Sequence, residues 1–290
     1  MGEFQKRRWL HKLCNVHKIN FLAIQETKLT QLDHWCMRQI WGDMFFECAS
    51  SSARGKSGGI LCMWNRMMFQ CSKVISFDNY VVVEGIWVAS NTPVMFISVY
   101  APQPLVEKRR LWNSLLVRIR SWDAPVVVMG DFNEVREAAE RYGSVFHQNQ
   151  ADIFNDFIIS AELVDISMGG YSFTWTDKWA GKMSKLDRFL VSESFLEAFV
   201  GATGMVLEKA LPDHRPILLK EKVVDYGPTP FRFFNSWLQV DDFKALVETT
   251  WKHDGIHDAN GLVHFKKKLQ NLKYVIREWN VKRRLKNDEV

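Results

Sequence analysis

Apolar residues recur along this chain in two rhythms. Over residues 5–18, Trp9, Leu10, Leu13, Cys14 and Val16 stand among Lys, Arg and His at helical spacing, which predicts an amphipathic helix lying on a sheet. Residues 20–24 then read as a short buried strand. Residues 45–49, 59–64, 68–77 and 80–89 read as successive strands, with Gly and Ser clustered over 50–59 and a tight Asp78-Asn79 turn. That run is antiparallel, unlike a doubly wound parallel sheet. Residues 93–100 form a further strand, stopped by Ala101-Pro102. The helical rhythm returns over 106–121, where Leu111, Trp112, Leu115, Leu116 and Ile119 share a face and four arginines lie elsewhere. A helix over 151–161, short strands over 163–166 and 171–175, and a strand over 184–192 follow.

The most informative stretch is 124–133, APVVVMGDFN. The apolar run from Val126 to Met129 predicts a strand buried on both faces. Asp131 and Asn133 leave its end together, on one side if the extended geometry persists. Ends of core strands are where α/β proteins place ligand chemistry, although Gly-Asp-x-Asn also suits a plain turn. Other strands end similarly. Glu26 follows the strand over 20–24, where it could equally be a helix-start acid. Tyr100 closes the strand over 93–100. Asp187 sits inside an apolar strand, and a buried acid requires a partner, either Lys185, Arg188 or a distant His. Asp213-His214 precedes the apolar run 217–219. Each signal alone is weak; together they describe a site assembled from strand ends.

Composition narrows the class only a little. The 290 residues allow one large domain plus an extension, and a net charge of +5 is compatible with a polyanionic partner without requiring one. The five cysteines lack CxxC spacing, which points to a reduced, intracellular protein without a zinc site. No signal peptide and no membrane-length apolar run are visible. Residues 226–230 read as a Pro-rich linker. The region over 231–290 reads as helical, with Trp237, Phe243, Leu246, Val247 and Trp251 on one amphipathic helix. A second helix from Phe265 is dense in Lys and Arg. This tail looks too poor in apolar residues for a core of its own and is expected to pack on the main domain or await a partner. Its basic run suits a solvated face first and nucleic-acid contact second.

The wording of five segments resembles the endonuclease/exonuclease/phosphatase superfamily: QETK at 25–28, VYAP at 99–102, GDFN at 130–133, KLDRFLVS at 185–192 and PDHRPI at 212–217. RRWLHKL, SVYAP, ERYGS, YSFTW and FRFFNSWL further resemble the endonuclease end of plant LINE-type (non-LTR) retrotransposons. The resemblance implies an α/β (α+β) fold, a four-layered sandwich of two mostly antiparallel sheets flanked by helices, over residues 1–220. Residues 221–230 would be the linker and 231–290 the helical basic extension. It implies hydrolysis of a phosphate ester with Mg²⁺, or Mn²⁺ in its place, on DNA, by a monomer without a membrane, nuclear by ancestry. By the same resemblance Glu26 is the metal ligand and Asp213 completes the metal's outer region. Asp131 positions or deprotonates water, Asn133 and Tyr100 contact phosphate, and Asp187 orients His214, which binds phosphate oxygens. The family opens on a strand carrying an Asn, in wording such as WNVRG. This chain starts at Met1-Gly2-Glu3-Phe4, so that strand and its Asn are expected to be missing and activity reduced. Pro212 stands where Ser often precedes the Asp-His pair. A same-fold phosphatase acting on a small molecule, and an inactive fragment that only binds nucleic acid, are the competing expectations.

Overall fold

The computed structural model describes residues 4–27, 33–51, 58–209, 213–221, 233–253, 255 and 257–287. The expected linker at 226–230 and the Pro212 position lie outside them. The chain divides into two compact units, Met1–Asp225 and Tyr226–Val290.

The first unit opens with helix α1 (Phe4–His17), strand β1 (Phe21–Ile24) and helix α2 (His34–Trp41). Strands β2 (Phe46–Ser51), β3 (Ile60–Asn65), β4 (Phe69–Ser76), β5 (Tyr80–Trp87) and β6 (Thr92–Tyr100) follow. Helix α3 (Leu105–Arg120) crosses over to β7 (Val126–Asp131), and β8 (Arg141–Tyr142) and helix α4 (Gln148–Ser160) come next. The unit continues with β9 (Leu163–Asp165), β10 (Met168–Gly170), β11 (Trp175–Thr176), β12 (Met183–Ser184) and β13 (Asp187–Ser192). It closes with helix α5 (Glu193–Ala198), β14 (Ala202–Val206) and β15 (Ile217–Glu221).

A six-stranded sheet, ordered β4-β5-β6-β7-β13-β9, is the backbone of this unit; only its β6–β7 pair is parallel. That pair is parallel because α3 carries the chain back between its two strands. The facing layer is not one continuous sheet, as expected, but two three-stranded pieces, β1-β3-β2 and β10-β14-β15. A small β11-β12-β8 sheet is separate from them. Side chains sort by the two-residue period of a strand. Met95, Ile97 and Val99 of β6, Val126 and Val128 of β7 and Leu190 of β13 face α3 and α4, packing on Trp112, Leu115, Phe154 and Phe157. On β6 the alternate residue Phe96 faces inward and stacks on Phe21 of β1. Outside β2 and β3, helices α1 and α2 supply Leu10, Met37, Ile40 and Trp41. The order helix, sheet, sheet, helix makes four layers.

Several local expectations change. Helix α2 forms in a stretch for which the hydrophobic pattern predicts no element; Asp33 caps it, accepting a hydrogen bond from the Trp35 amide. Residues 171–175 are not a strand. Only Trp175 enters one, and β10 forms earlier, at Met168–Gly170. Trp237 is not on the amphipathic helix but in a 3-10 turn (Asn235–Gln239) before helix α6 (Asp241–Lys252); helix α7 (Gly261–Asn287) follows. The second unit does have a small core. Phe233, Trp237, Phe243 and Trp279 meet with ring centroids 4.9–6.0 Å apart, and Trp237, Phe243 and Ile276 are almost fully buried. A few aromatic rings replace the many aliphatics that the sequence lacks.

Candidate active site

The sheet register brings three of the expected side chains into one row. Tyr100 of β6 is the register partner of Asp131 of β7, and Asp131 is the partner of Asp187 of β13. By the same alternation, this row lies on the face opposite Val128 and Leu190, towards the split layer. Like charges directly opposite on neighbouring strands are destabilising, so the Asp131–Asp187 pairing needs compensation.

The split layer brings the remaining groups. Glu26 follows β1 and adopts a left-handed backbone conformation (φ 52°), a strained one for a non-glycine residue. Its carboxylate accepts a hydrogen bond from the Tyr100 hydroxyl. Gln25 fixes the preceding position by donating to Ser98 Oγ at 3.1 Å. It lies over Gly130, where a Cβ would stand 2.8 Å from the Gln25 amide and 2.1 Å from the Val99 carbonyl oxygen. With φ at 128° as well, only glycine fits at position 130. His214, just before β15, donates from Nδ1 to Asp187 Oδ2 at 2.8 Å, and its Nε2 stands 3.9 Å from Asp131 Oδ2. The second distance is too long for a hydrogen bond, so that nitrogen is uncommitted to Asp131.

One segment holds both partners of the Asp187–His214 pair. Thr174 Oγ1, fully buried, accepts from the Leu186 and Asp187 amides at 2.9 Å each. The Thr174 carbonyl accepts from Arg215 N at 2.6 Å, and Thr176 N donates to the Asp213 carbonyl at 3.0 Å. Trp175 bridges His214 directly.

Asn133 arrives differently from the expectation. β7 ends at Asp131, and Asn133 turns into the left-handed region (φ 49°), so strand alternation does not carry it to the same side. Its amide donates to Asp131 Oδ1 at 2.8 Å, its Nδ2 donates to the Ala101 carbonyl at 2.7 Å, and Gln103 donates to its Oδ1 at 2.6 Å. One Nδ2 hydrogen remains for a ligand. Beneath it, buried Lys108 donates to the Asn133 carbonyl at 2.6 Å and to Glu134 Oε2 at 2.7 Å. Asp213 is exposed, and its carboxylate is not among the charges that shift Asp131 or His214. Glu26, Tyr100, Asp131, Asp187 and His214 thus come together, Asn133 borders them, and Asp213 takes part through its backbone.

Gln103, Lys108 and Thr174 were missed from sequence. Gln103 reads as loop, Lys108 is hidden among the α3 arginines, and Thr174 lies in what reads as a strand.

The electrostatics follow from three acids facing one base. Burial, then the neighbouring Asp187 charge, pushes the Asp131 carboxyl up to about 7, although His214 pulls the other way. Burial works against a charged His214, but Asp187, Asp131 and Glu26 outweigh it and raise the imidazole to about 9. Burial and the Glu26 carboxylate raise the Tyr100 phenol, so it remains a donor. Among the described residues, no three His, Cys, Asp or Glu side chains are grouped so as to hold a metal ion between them. The oxygen-rich, acid-heavy set nevertheless suits a hard cation that keeps most of its waters, with Glu26 the side chain best able to hold it.

The family model described as "Endonuclease/Exonuclease/phosphatase family" matches residues 2–208. A protein of Xenopus laevis described as "Transposon TX1 uncharacterized 149 kDa protein" is 24% identical over 166 residues, 54% of this chain and 12% of that protein. The chain therefore spans about an eighth of that relative's length. An AP endonuclease from Archaeoglobus fulgidus superposes with a TM-score of 0.59 at 16% identity, covering 73% of this chain and 93% of its own. A mannosyl-6-phosphatase from Bacteroides thetaiotaomicron superposes with a TM-score of 0.53 at 15% identity, covering 74% and 90%. At such identities these two structures speak for the fold alone.

Proposed function

This chain belongs to the endonuclease/exonuclease/phosphatase family, and from that premise we propose that it is a Mg²⁺-dependent phosphodiester hydrolase that nicks DNA, of LINE-type retrotransposon ancestry. The observation that carries the reading is the cluster of Glu26, Tyr100, Asp131, Asp187 and His214, with three acids around one base. The transposon relative and the plant-LINE wording of ERYGS and FRFFNSWL favour DNA over a small phosphate ester.

Glu26 would hold the Mg²⁺. When bound, the cation neutralises charge on the phosphate. Asp131, with a carboxyl near 7, is poised to accept a proton from water at neutral pH. His214 stays protonated at that pH and directs its Nε2–H at a phosphate oxygen, while Asp187 on Nδ1 fixes the ring's orientation. The remaining Nδ2 hydrogen of Asn133 donates to the same phosphate, and the Tyr100 phenol would join it once its O–H turns from Glu26 to the phosphate. The His214 and Asn133 donors are in place before substrate arrives, which is the condition for transition-state stabilisation.

Supercoiled-plasmid nicking with Mg²⁺ and with chelator, on the wild type, Glu26→Ala and His214→Ala, tests the proposal. Nicking that requires Mg²⁺ and is lost in both variants is expected. Hydrolysis of an inositol phosphate or sugar phosphate without nicking would instead assign the site to a small-molecule phosphatase. Equal activity in wild type and Glu26→Ala would remove the site altogether.

A further inference from the structure

Helix α7 carries charge that the cluster in the first unit does not use. Its 27 residues hold nine Lys or Arg and one acid, Glu278. Lys266, Lys273 and Arg277 are spaced by seven and four, which places them within about 20° of one line along the helix. That line runs for about 16 Å, the axial rise of roughly five base pairs of duplex DNA. The helix is anchored along the flank of that line, where Ile276 and, beyond the stripe's end, Asn280 are buried and Trp279 packs on Trp237 and Phe243. Other cations are engaged within the unit: Lys267 pairs with Asp258 at 2.8 Å, Lys268 lies over the Trp251 ring and Arg283 over the Trp279 ring. Among the described residues no acid pairs with Lys266, Lys273 or Arg277. Lys266 and Arg277 are exposed and Lys273 is half-exposed.

We propose that the Lys266–Lys273–Arg277 stripe of α7 is a sequence-independent contact surface for the phosphate backbone of duplex DNA, built from residues that take no part in hydrolysis. The choice of DNA as the polyanion rests on the nuclease reading; the stripe itself does not. A solvated face needs no such alignment. An interfacial membrane helix needs apolar and basic faces strongly segregated, and on α7 they are poorly segregated. Such a surface raises local DNA concentration and leaves strand cleavage to the other unit.

The test uses the full chain carrying Glu26→Ala, in chelator, so that the DNA is not cut. Binding of a labelled duplex of about 30 base pairs is followed by anisotropy across roughly 50–300 mM salt. Lys266→Gln/Lys273→Gln/Arg277→Gln should weaken binding about tenfold or more and flatten the salt slope by about 2–3, at about 0.9 per phosphate contact. Lys267→Gln/Lys268→Gln/Arg283→Gln, which removes the same charge from engaged positions, should change both far less. Lys266→Arg/Lys273→Arg should bind like the parent. Equal losses in the two triple variants would reduce the effect to net charge and overturn the proposal. So would no loss in the stripe variant, or stripe-dependent binding to phosphatidylserine vesicles without binding to the duplex. Because binding is read without cleavage, failure of the nuclease assay and failure of this surface are separate results.

Discussion

Strand β13 places two charge clusters on successive residues, and they are built to opposite rules. Asp187 faces the site, where Glu26, Asp131 and Asp187 share one base, His214. Arg188, the next residue, is fully buried against Glu140 and Asp165, joined by Lys185 and Arg136. There two acids meet three bases. Burial alone would raise Glu140, yet Arg188 holds it below the usual carboxylate range; burial alone would lower Arg188, yet its two acids raise it. Glu140 and Arg188 are both pushed further into their charged forms. At the site the same burial pushes Asp131 up to about 7, because too little positive charge is nearby. The balanced cluster holds structure together, and the unbalanced one keeps a perturbed carboxyl and imidazole side by side, the mark of a chemical site.

The largest effect expected from breaking this contrast is at Asp131. Asp131→Asn should cut nicking by about 10²–10⁴-fold while stabilising the fold above neutral pH. The sign follows from the raised carboxyl. The folded state favours protonated Asp131, so its stabilising contribution is full below about pH 4 and is lost as pH rises through about 7. Thermal unfolding at pH 5 and pH 8 should show the variant's advantage growing with pH. Arg188→Met strikes the balanced cluster and leaves Glu140 and Asp165 buried without their main partner. About 3–5 kcal/mol of stability should be lost, read as a melting temperature lower by roughly 6–20 °C. Asp187→Asn should lower the His214 pKa by about 1–2 units, measured by NMR titration in chelator, and reduce nicking without unfolding the protein. Gln103→Ala, which releases one side of the Asn133 carboxamide, should cost about 1 kcal/mol and slow nicking only a few-fold.

Much of this contrast was legible in the chain. Two-residue alternation placed the central strands, and the abrupt appearance of Glu26, Tyr100 and Asp131 after apolar runs marked the strand ends. The need of a buried Asp187 for a partner left Lys185, Arg188 or a distant His open; the structure supplies His214, and Arg188 instead pairs with Glu140 and Asp165. Illegible were groups whose role depends on the fold closing around them. Lys108 reads as one more cation on a solvated helix, and nothing local says that Glu134 and the Asn133 carbonyl will bury it. Thr174 acts through backbone amides twelve and thirteen residues away. Asn133 escapes the alternation rule because its backbone turns left-handed. The second unit's core was underestimated because counting apolar residues undervalues a few large rings.

Three carboxylates, Glu26, Asp131 and Asp187, leave His214 in surroundings short of positive charge. NMR titration of the His214 ring in wild-type protein with chelator measures it directly. The imidazole should titrate near 9, and adding Mg²⁺ should pull that value down as the cation takes over part of the negative charge. A ring that titrates near 6.5 and does not respond to Mg²⁺ would contradict it.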